Sequence, residues 1–315
     1  MRDLVVALSG GIGGAKLALG LNRVLPADQL MIVANTGDDF EHLGLSISPD
    51  IDTLMYTLAG LDNPATGWGQ RDETWSFMEA VAKLGGESWF RLGDRDLATH
   101  VERTRRLRAG EPLSQITSDL CRKLGVGPAI LPMSDDAVRT RVQSEGSWID
   151  FQDYFVRQQC RPVVRGFAFE GAVRARPQPD IMAALGSGRV RAVVICPSNP
   201  LISIEPILAV PGLRAAIAGC GAPVVAVSPI IAGQAVKGPT AKMLQELGFV
   251  PSASAVADRY GDLLDGYLID RDDADTPART GLTVERTPVL MTSLADREQL
   301  ARTTLAFADR LKPRP

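Results

Sequence analysis

The chain has 315 residues, 45% of them hydrophobic, with 34 Lys and Arg against 37 Asp and Glu and a formal net charge of −3. That is apolar sequence for one large core or two smaller ones, and it lacks the basic footprint of a general nucleic-acid binder. No apolar run approaches the roughly 18–20 residues that span a bilayer. The first residues start a strand at once instead of a signal peptide, so a cytoplasmic protein without a membrane partner is expected. Cys121, Cys160, Cys196 and Cys220 form no CxxC pair, the pattern of reduced thiols and no zinc site. With only His42 and His100 present, a centre of three histidines within one chain is excluded.

Short apolar runs, each ending in small or polar residues, recur along the chain. Leu4–Leu8 leads into "SGGIGG" and the helical pattern Ala15–Leu25. Leu30–Ala34 leads into "NTGDD", and "SPDIDT" then opens the helical run "TLMYTLAGL". Further runs are Ala129–Leu131, Val190–Cys196, Pro223–Val227, Tyr267–Ile269 and Val289–Met291, with helical patterns at Asp96–Arg108, Ala241–Leu247 and Asp296–Leu311. Alternating strand, turn and helix predicts a mostly parallel α/β sheet of Rossmann-like type, covered by helices on both faces. Strands buried on both faces read as near-continuous apolar runs. The alternation breaks over residues 63–187, which hold all four tryptophans and several Arg-rich helical stretches. Residues 1–62 and 188–315 are expected to form the nucleotide-binding core, and 63–187 a helical or mixed insertion.

Glycine is needed where backbone must approach a ligand, and a helix start presents N–H groups to an anion. Gly10, Gly11, Gly13, Gly14 and Lys16 therefore point to phosphate binding, although neither common phosphate-loop pattern fits. A Walker A loop would need a hydroxyl after Lys16, where Leu17 stands. A dinucleotide fingerprint counted from Gly11 would need a glycine at Lys16. In an open parallel sheet, ligands bind beyond the carboxyl ends of the strands. Asp38 and Asp39 end the second strand, and Asp50 and Asp52 follow in a second turn. Their i, i+2 spacing in an extended turn points both carboxylates one way. Carboxylates beside a phosphate site repel the ligand unless a cation intervenes, and magnesium takes one or two carboxylates plus phosphate oxygens. Capping of the next helix by Asp52 and Thr53 competes with that reading, as does ribose binding by Asp38 or Asp39.

"RLGDRD" follows Trp89 and Phe90, where stacking faces and the cation of Arg91 suit a flat ligand with a polar edge. "PSNP" fixes Ser198 and Asn199 between Pro197 and Pro200, with Asn199 reading a purine edge or capping a helix. Lys237 or Lys242 is a candidate counter-charge for phosphate. Neither histidine has a legible partner, and no Ser/His/Asp or Cys/His arrangement is apparent.

In this order, "SGGIGGAK", "NTGDD", "SPDIDTLMY", "RLGDRDLATH", "LPMSDD", "FQDYFV", "VRG", "PSNP", "VVAVSPIIAG", "VKGPTAKM" and "LMTS" resemble the 2-phospho-L-lactate transferase family from about Val5 to Thr292. The family often has Cys where Ser48 stands, which puts no chemistry in doubt. The resemblance implies a magnesium-dependent enzyme of coenzyme F-420 biosynthesis. A phospho-acid (2-phospho-L-lactate, phosphoenolpyruvate or 3-phosphoglycerate) passes from a guanosine diphosphate-linked donor to the deazaflavin FO, releasing GMP. It further implies that Asp52 and Arg91 contact FO, with Asp52 catalytic. Asp39 and Asp52 would hold magnesium, with Asp38 or Asp50 joining them. Gly10, Gly11, Gly13, Gly14, Lys16, Ser198, Asn199 and Pro200 would hold the nucleotide, and the insertion would contribute to the deazaflavin pocket. A homodimer is also implied. The alternative from another class is a dinucleotide-binding oxidoreductase or a nucleotide-sensing regulator on a similar scaffold.

Overall fold

The structure, a computed structural model, describes residues 2–235 and 238–312; Lys237 lies outside the described residues. Seven strands form one parallel sheet. Along the chain they are β1 (Leu4–Ser9), β2 (Leu30–Ala34), β3 (Ala129–Pro132), β4 (Val190–Ile195), β5 (Val224–Val227), β6 (Gly266–Ile269) and β7 (Thr283–Arg286). Their spatial order is β3-β2-β1-β4-β5-β6-β7, and every neighbouring pair is parallel. The order runs outward from β1 in one direction and then restarts on its other side with β4. That makes the β1–β4 boundary the topological switch point, the crevice where doubly wound folds bind ligands.

The apolar runs of the central strands follow from burial on both faces. Val6, Leu8, Val193 and Ile195 belong to one core, and Val5, Ala7, Ile32 and Val194 to the other. Each strand residue thus alternates between two helix-covered layers, and the architecture is the expected Rossmann-like α/β sheet. Two expectations need correction. Val289–Met291 is not a strand. The seventh strand is Thr283–Arg286, whose residues are half-buried or exposed at the sheet edge, so no apolar run marks it. The segment 63–187 is also not one continuous insertion, because Ala129–Pro132 returns to the main sheet beside β2. The rest of it is helical or mixed. It includes a three-stranded antiparallel sheet of Arg139–Ser144, Ser147–Asp150 and Gly166–Glu170.

Three helices matter for the site: α1 (Gly11–Val24), α2 (Pro49–Ala59) and α3 (Asp94–Arg108). Helix α1 starts earlier than its apolar pattern, because the glycines occupy its first turn instead of a loop before it. It packs against Leu294–Arg310, which begins with a reciprocal capping box between Ser293 and Asp296. The two backbones meet so closely at Gly20 that an added Cβ would lie 2.1 Å from the Arg297 carbonyl oxygen. Helix α2 starts with Pro49 at its first position, where a missing N–H costs nothing. Among the described residues, no helix is long and apolar enough to cross a membrane.

Candidate active site

At the switch point β1 ends in Ser9, and Gly10 turns the chain into α1. The glycines allow three close approaches. A Cβ on Gly10 would meet Asp50 Oδ2 at 2.5 Å and Ser203 Cβ at 2.7 Å. On Gly13 it would meet the Pro197 carbonyl oxygen at 2.4 Å, and on Gly14 the hydroxyls of Ser9 and Ser198, both at 2.4 Å. Gly11 has φ +64°, a left-handed conformation that favours glycine. The Gly10 N–H donates to Ser198 Oγ at 3.1 Å, and the Gly11 N–H donates to Asp50 Oδ1 at 2.5 Å. A carboxylate thus already sits at the helix start, and α1 still presents first-turn N–H groups beyond Gly11 without intrahelical partners.

A cavity of about 580 Å³ opens in front of this turn, within the range of small-ligand sites. One wall contains Gly10, Gly11, Gly13, Lys16, Ser198 and Asn199. Gly14 and Pro200 lie behind that wall. Pro200 opens a wide π-helical turn over Pro200–Ile204, and Asn199 Oδ1 caps it by accepting from Leu201 N–H at 2.9 Å. Asn199 therefore caps the turn and also faces the cavity. Lys16 Nζ donates to the Met291 carbonyl at 2.9 Å, drawing the loop after β7 to the same wall. Lys242 is turned elsewhere, onto Glu246 and the Pro162 carbonyl.

Another part of the lining is aromatic. Trp68, Trp89, Phe90, Phe151 and Phe155 line it together with Arg91. The Arg91 guanidinium lies 4.0 Å from the centre of the Trp75 ring, and the Arg157 guanidinium lies 4.6 Å from that of Trp89. Sequence reasoning anticipated Trp89, Phe90 and Arg91 here. The stretch "FQDYFV" also contributes here. Phe151, Gln152, Phe155 and Val156 of that stretch all face the cavity, around a π-helical turn over Asp153–Arg157. Gln152 also donates to the Asp38 carbonyl at 3.2 Å, tying the aromatic wall to the acidic rim. Phe151, Tyr154 and Phe155 follow the i, i+3, i+4 spacing of one helical face, so the sequence reads as ordinary core packing and carries no signal of the widened turn beside the cavity. His42, buried among Phe40, Trp89 and Phe90, is a packing residue, and burial holds its imidazole below its ordinary value.

Carboxylates also reach the cavity. Asp38 and Asp50 line the cavity, whereas Asp39 and Asp52 do not. Asn35 Nδ2 donates to Asp50 Oδ2 at 2.9 Å and to Asp38 Oδ1 at 3.3 Å. Burial, then the charges of Asp50 and Asp39, push the Asp38 carboxyl well above its ordinary value. Burial also pushes Asp39 up to about 7 and Asp50 up to about 6. Asp39 Oδ2 accepts from Ser48 Oγ at 2.9 Å, while Asp39 Oδ1 is buried with no hydrogen-bond partner among the described residues. Mutually repelling buried carboxylates with an unpartnered oxygen, beside a helix N-terminus, suit a hard divalent cation. The residues present therefore fit magnesium.

Asp52 requires a correction. An extended turn would point Asp50 and Asp52 the same way, but Pro49 starts a helix, and residues two apart on a helix diverge by about 200°. Asp50 consequently faces the cavity and Asp52 the opposite side. There Arg103 of α3 grips it with two N–H groups, Nη1 to Oδ2 at 3.0 Å and Nη2 to Oδ1. Arg103 Nη1 also lies 3.3 Å from His100 Nδ1, His100 Nε2 lies 3.2 Å from Asp96 Oδ2, and Tyr56 of α2 donates to Asp96 Oδ1 at 2.6 Å. Among the described residues, Asp52, Asp96 and His100 are the one set of three whose ligand atoms fall within 4.8 Å of one another. Arg103 occupies both oxygens of Asp52 in that set, so the three residues form an ion-pair network with it. Burial works against the Arg103 charge, but Asp52 more than offsets it and holds the guanidinium above its ordinary value. Glu73 was also missed: it accepts from the Arg95 and Asp96 N–H groups at 2.8 and 2.9 Å and caps the start of α3 from 22 residues away.

The 2-phospho-L-lactate transferase CofD family matches residues 5–304 of the chain. A phosphoenolpyruvate transferase of Streptomyces coelicolor is 42% identical over 98% of this chain and 99% of its own length. One of Mycolicibacterium smegmatis is 39% identical over 96% and 98%. Among solved structures, a UPF0052-family protein of Bacillus halodurans superposes with a TM-score of 0.63 at 14% identity, covering 97% of this chain and 99% of that one; that likeness concerns the fold. The chain belongs to the 2-phospho-L-lactate transferase CofD family and is a transferase of a phosphate-containing group.

Proposed function

We propose that the chain transfers a phosphorylated three-carbon acid from a guanosine diphosphate-linked donor to the deazaflavin FO, giving a coenzyme F-420 precursor and GMP. Phosphoenolpyruvate is the favoured acid, because the relatives at 39–43% identity carry that name. The observation that carries the reading is that one cavity joins a glycine-rich helix start, an acidic rim and an aromatic wall. Those are the three surfaces that a diphosphate, its cation and a flat tricyclic ring require.

In the reaction, the terminal ribityl hydroxyl oxygen of FO bonds to the phosphorus bearing the acid. The bond from that phosphorus to the oxygen bridging toward guanosine breaks, and GMP leaves with the electron pair. The hydroxyl proton passes to a rim carboxylate. Asp38 suits this role, since it faces the cavity and its surroundings favour the protonated form. The start of α1, with Ser198 and Asn199, holds the diphosphate, and the cavity holds attacker and phosphorus in line. Trp89, Phe90 and Phe151 exclude water and stack the ring, with Arg91 at its polar edge. Asp39 and Asp50 would hold magnesium, which supplies charge neutralisation on the phosphoryl oxygens when bound. The test is mass spectrometry of products from FO, magnesium and each of the lactyl, enolpyruvyl and glyceryl donors. GMP and a phosphodiester of FO support the reading; no product from any donor sinks it.

Two further outcomes follow. Trp89→Ala and Arg91→Ala each remove a wall contact without touching the rim. Each should raise KM for FO about tenfold or more and lower kcat less than about threefold. Steady-state kinetics with varied FO decide this, and an unchanged KM for both variants removes the aromatic wall as the acceptor site.

Magnesium binding should also be coupled to protons. Asp39 at about 7 and Asp50 at about 6 hold protons more tightly in the folded protein than in the unfolded chain. Their contribution to the stability of the metal-free protein is therefore full below about pH 4 and is lost as pH rises through about 6–7. A cation needs the ionised forms, so its affinity rises over the same range. Magnesium should raise the melting temperature by several degrees at about pH 8 and hardly at all at about pH 5.5. Equal shifts at the two pH values would place the cation away from these carboxylates.

A further inference from the structure

The cavity takes its acidic rim from α2 and part of its aromatic wall from the residues just before α3. Asp50 and Thr53 project from the start of α2, and Trp89, Phe90 and Arg91 precede α3. The donor half and the acceptor half of the site therefore depend on how these two helices are set against each other. What joins them directly behind the cavity wall is polar. Arg103 reaches from α3 to Asp52 of α2 through two N–H groups, and Tyr56 reaches from α2 to Asp96 of α3 at 2.6 Å. His100 lies between, 3.3 Å from Arg103 Nη1 and 3.2 Å from Asp96 Oδ2. Every member is buried, and Arg103 is only 1% exposed, the largest fully buried side chain among the described residues.

A buried ion pair is weak evidence of stabilisation, because well-packed apolar residues of equal volume often serve as well or better. An apolar contact, however, tolerates sliding. The two-point fork of a guanidinium on a carboxylate fixes both distance and orientation. We infer that Arg103 is a positioning residue: with Asp52, His100, Asp96 and Tyr56 it fixes the register of α2 on α3, and so the separation of the phosphate-side carboxylates from the acceptor ring. The inference rests on the transferase reading above and adds a residue that touches neither substrate. It also accounts for Asp52 facing away from the cavity, as the α2 half of the latch.

The test compares wild type with Arg103→Lys and Tyr56→Phe. Lysine keeps the charge and loses the fork; phenylalanine removes one hydroxyl and keeps the packing. A misalignment of about 1 Å between reacting groups costs on the order of 100-fold in rate. Arg103→Lys should lower kcat roughly 10- to 100-fold and Tyr56→Phe roughly 3- to 10-fold. In both, KM and fluorescence-measured Kd for FO should stay within about twofold of wild type, and so should Kd for GDP. A purely structural role would lower the melting temperature and the fraction of active enzyme but leave kcat per active site unchanged, and that result overturns the proposal. Should Arg103→Lys fail to fold, Tyr56→Phe decides alone by the same split. Wild type inactive with FO and every donor would overturn the transferase reading and this inference with it; active wild type with unimpaired variants overturns this inference alone.

Discussion

Asp50→Asn is expected to lower kcat by about 10³-fold or more while leaving the fold intact. The amide keeps the size of the Asp50 side chain and an oxygen for the Gly11 N–H, so the turn between β1 and α1 has its partner; its NH2 replaces the oxygen that accepts from Asn35 Nδ2, a buried loss of about 1–3 kcal/mol that the fold survives. It removes the negative charge nearest the helix start, and with it the means of holding a cation against a diphosphate. The measurements are steady-state turnover at saturating magnesium and a melting curve of the same sample. More than a tenth of wild-type activity in Asp50→Asn would remove Asp50 from the chemistry. Asp52→Asn differs in kind. It leaves the buried Arg103 guanidinium without its carboxylate, which costs about 3–5 kcal/mol of stability, so its activity loss should come with a large fall in melting temperature. The two aspartates, neighbours in one motif, are thus separable by one thermal measurement.

Gly13→Ala is expected to weaken GDP binding at least about tenfold with little change in overall stability. The new Cβ would lie 2.4 Å from the Pro197 carbonyl oxygen, a backbone atom that cannot rotate away. The start of α1 must then move off the 197–198 turn, and the two sides of the phosphate cradle part. Alanine gains about 1 kcal/mol over glycine within a helix, and crowding costs about 1–3 kcal/mol. The net stability change is therefore small while the geometric change falls on the nucleotide. Calorimetric titration with GDP, alongside fluorescence titration with FO, tests this. GDP affinity should fall and FO affinity stay within about twofold; wild-type GDP affinity would show that this close approach does not shape the nucleotide site.

What was legible in the sequence follows from what each residue is packed against. Val6, Val193 and Val225 announce their strands because both faces of the sheet are buried and nothing polar interrupts the runs. Thr283–Arg286 is silent because an edge strand is free to be polar. The glycines at 10, 11, 13 and 14 were readable because only close approach or a positive φ explains so many in five positions. The aspartates were readable as a group but not as individuals. Whether Asp50 and Asp52 face together or apart depends on whether Pro49 opens a helix or an extended turn, and proline permits both. Arg103 carries no local signal, since its partner Asp52 is 51 residues away and an arginine on a helix is ordinarily solvated. The aromatic wall was half legible: Trp89 and Phe90 stand beside Arg91, whereas Phe151 and Phe155 arrive from another element by way of a π-helical turn.

The most direct measurement is a crystal structure of the protein with GDP, FO and manganese in place of magnesium, read by anomalous scattering. The expected map has the diphosphate at the start of α1, a manganese peak between it and the carboxylates of residues 38–50, and the deazaflavin ring against Trp89 and Phe151. A manganese peak on Asp96 and His100 instead, or either ligand bound beyond the opposite edge of the sheet, would contradict the assignment of this cavity as the place where phosphoryl donor and acceptor meet.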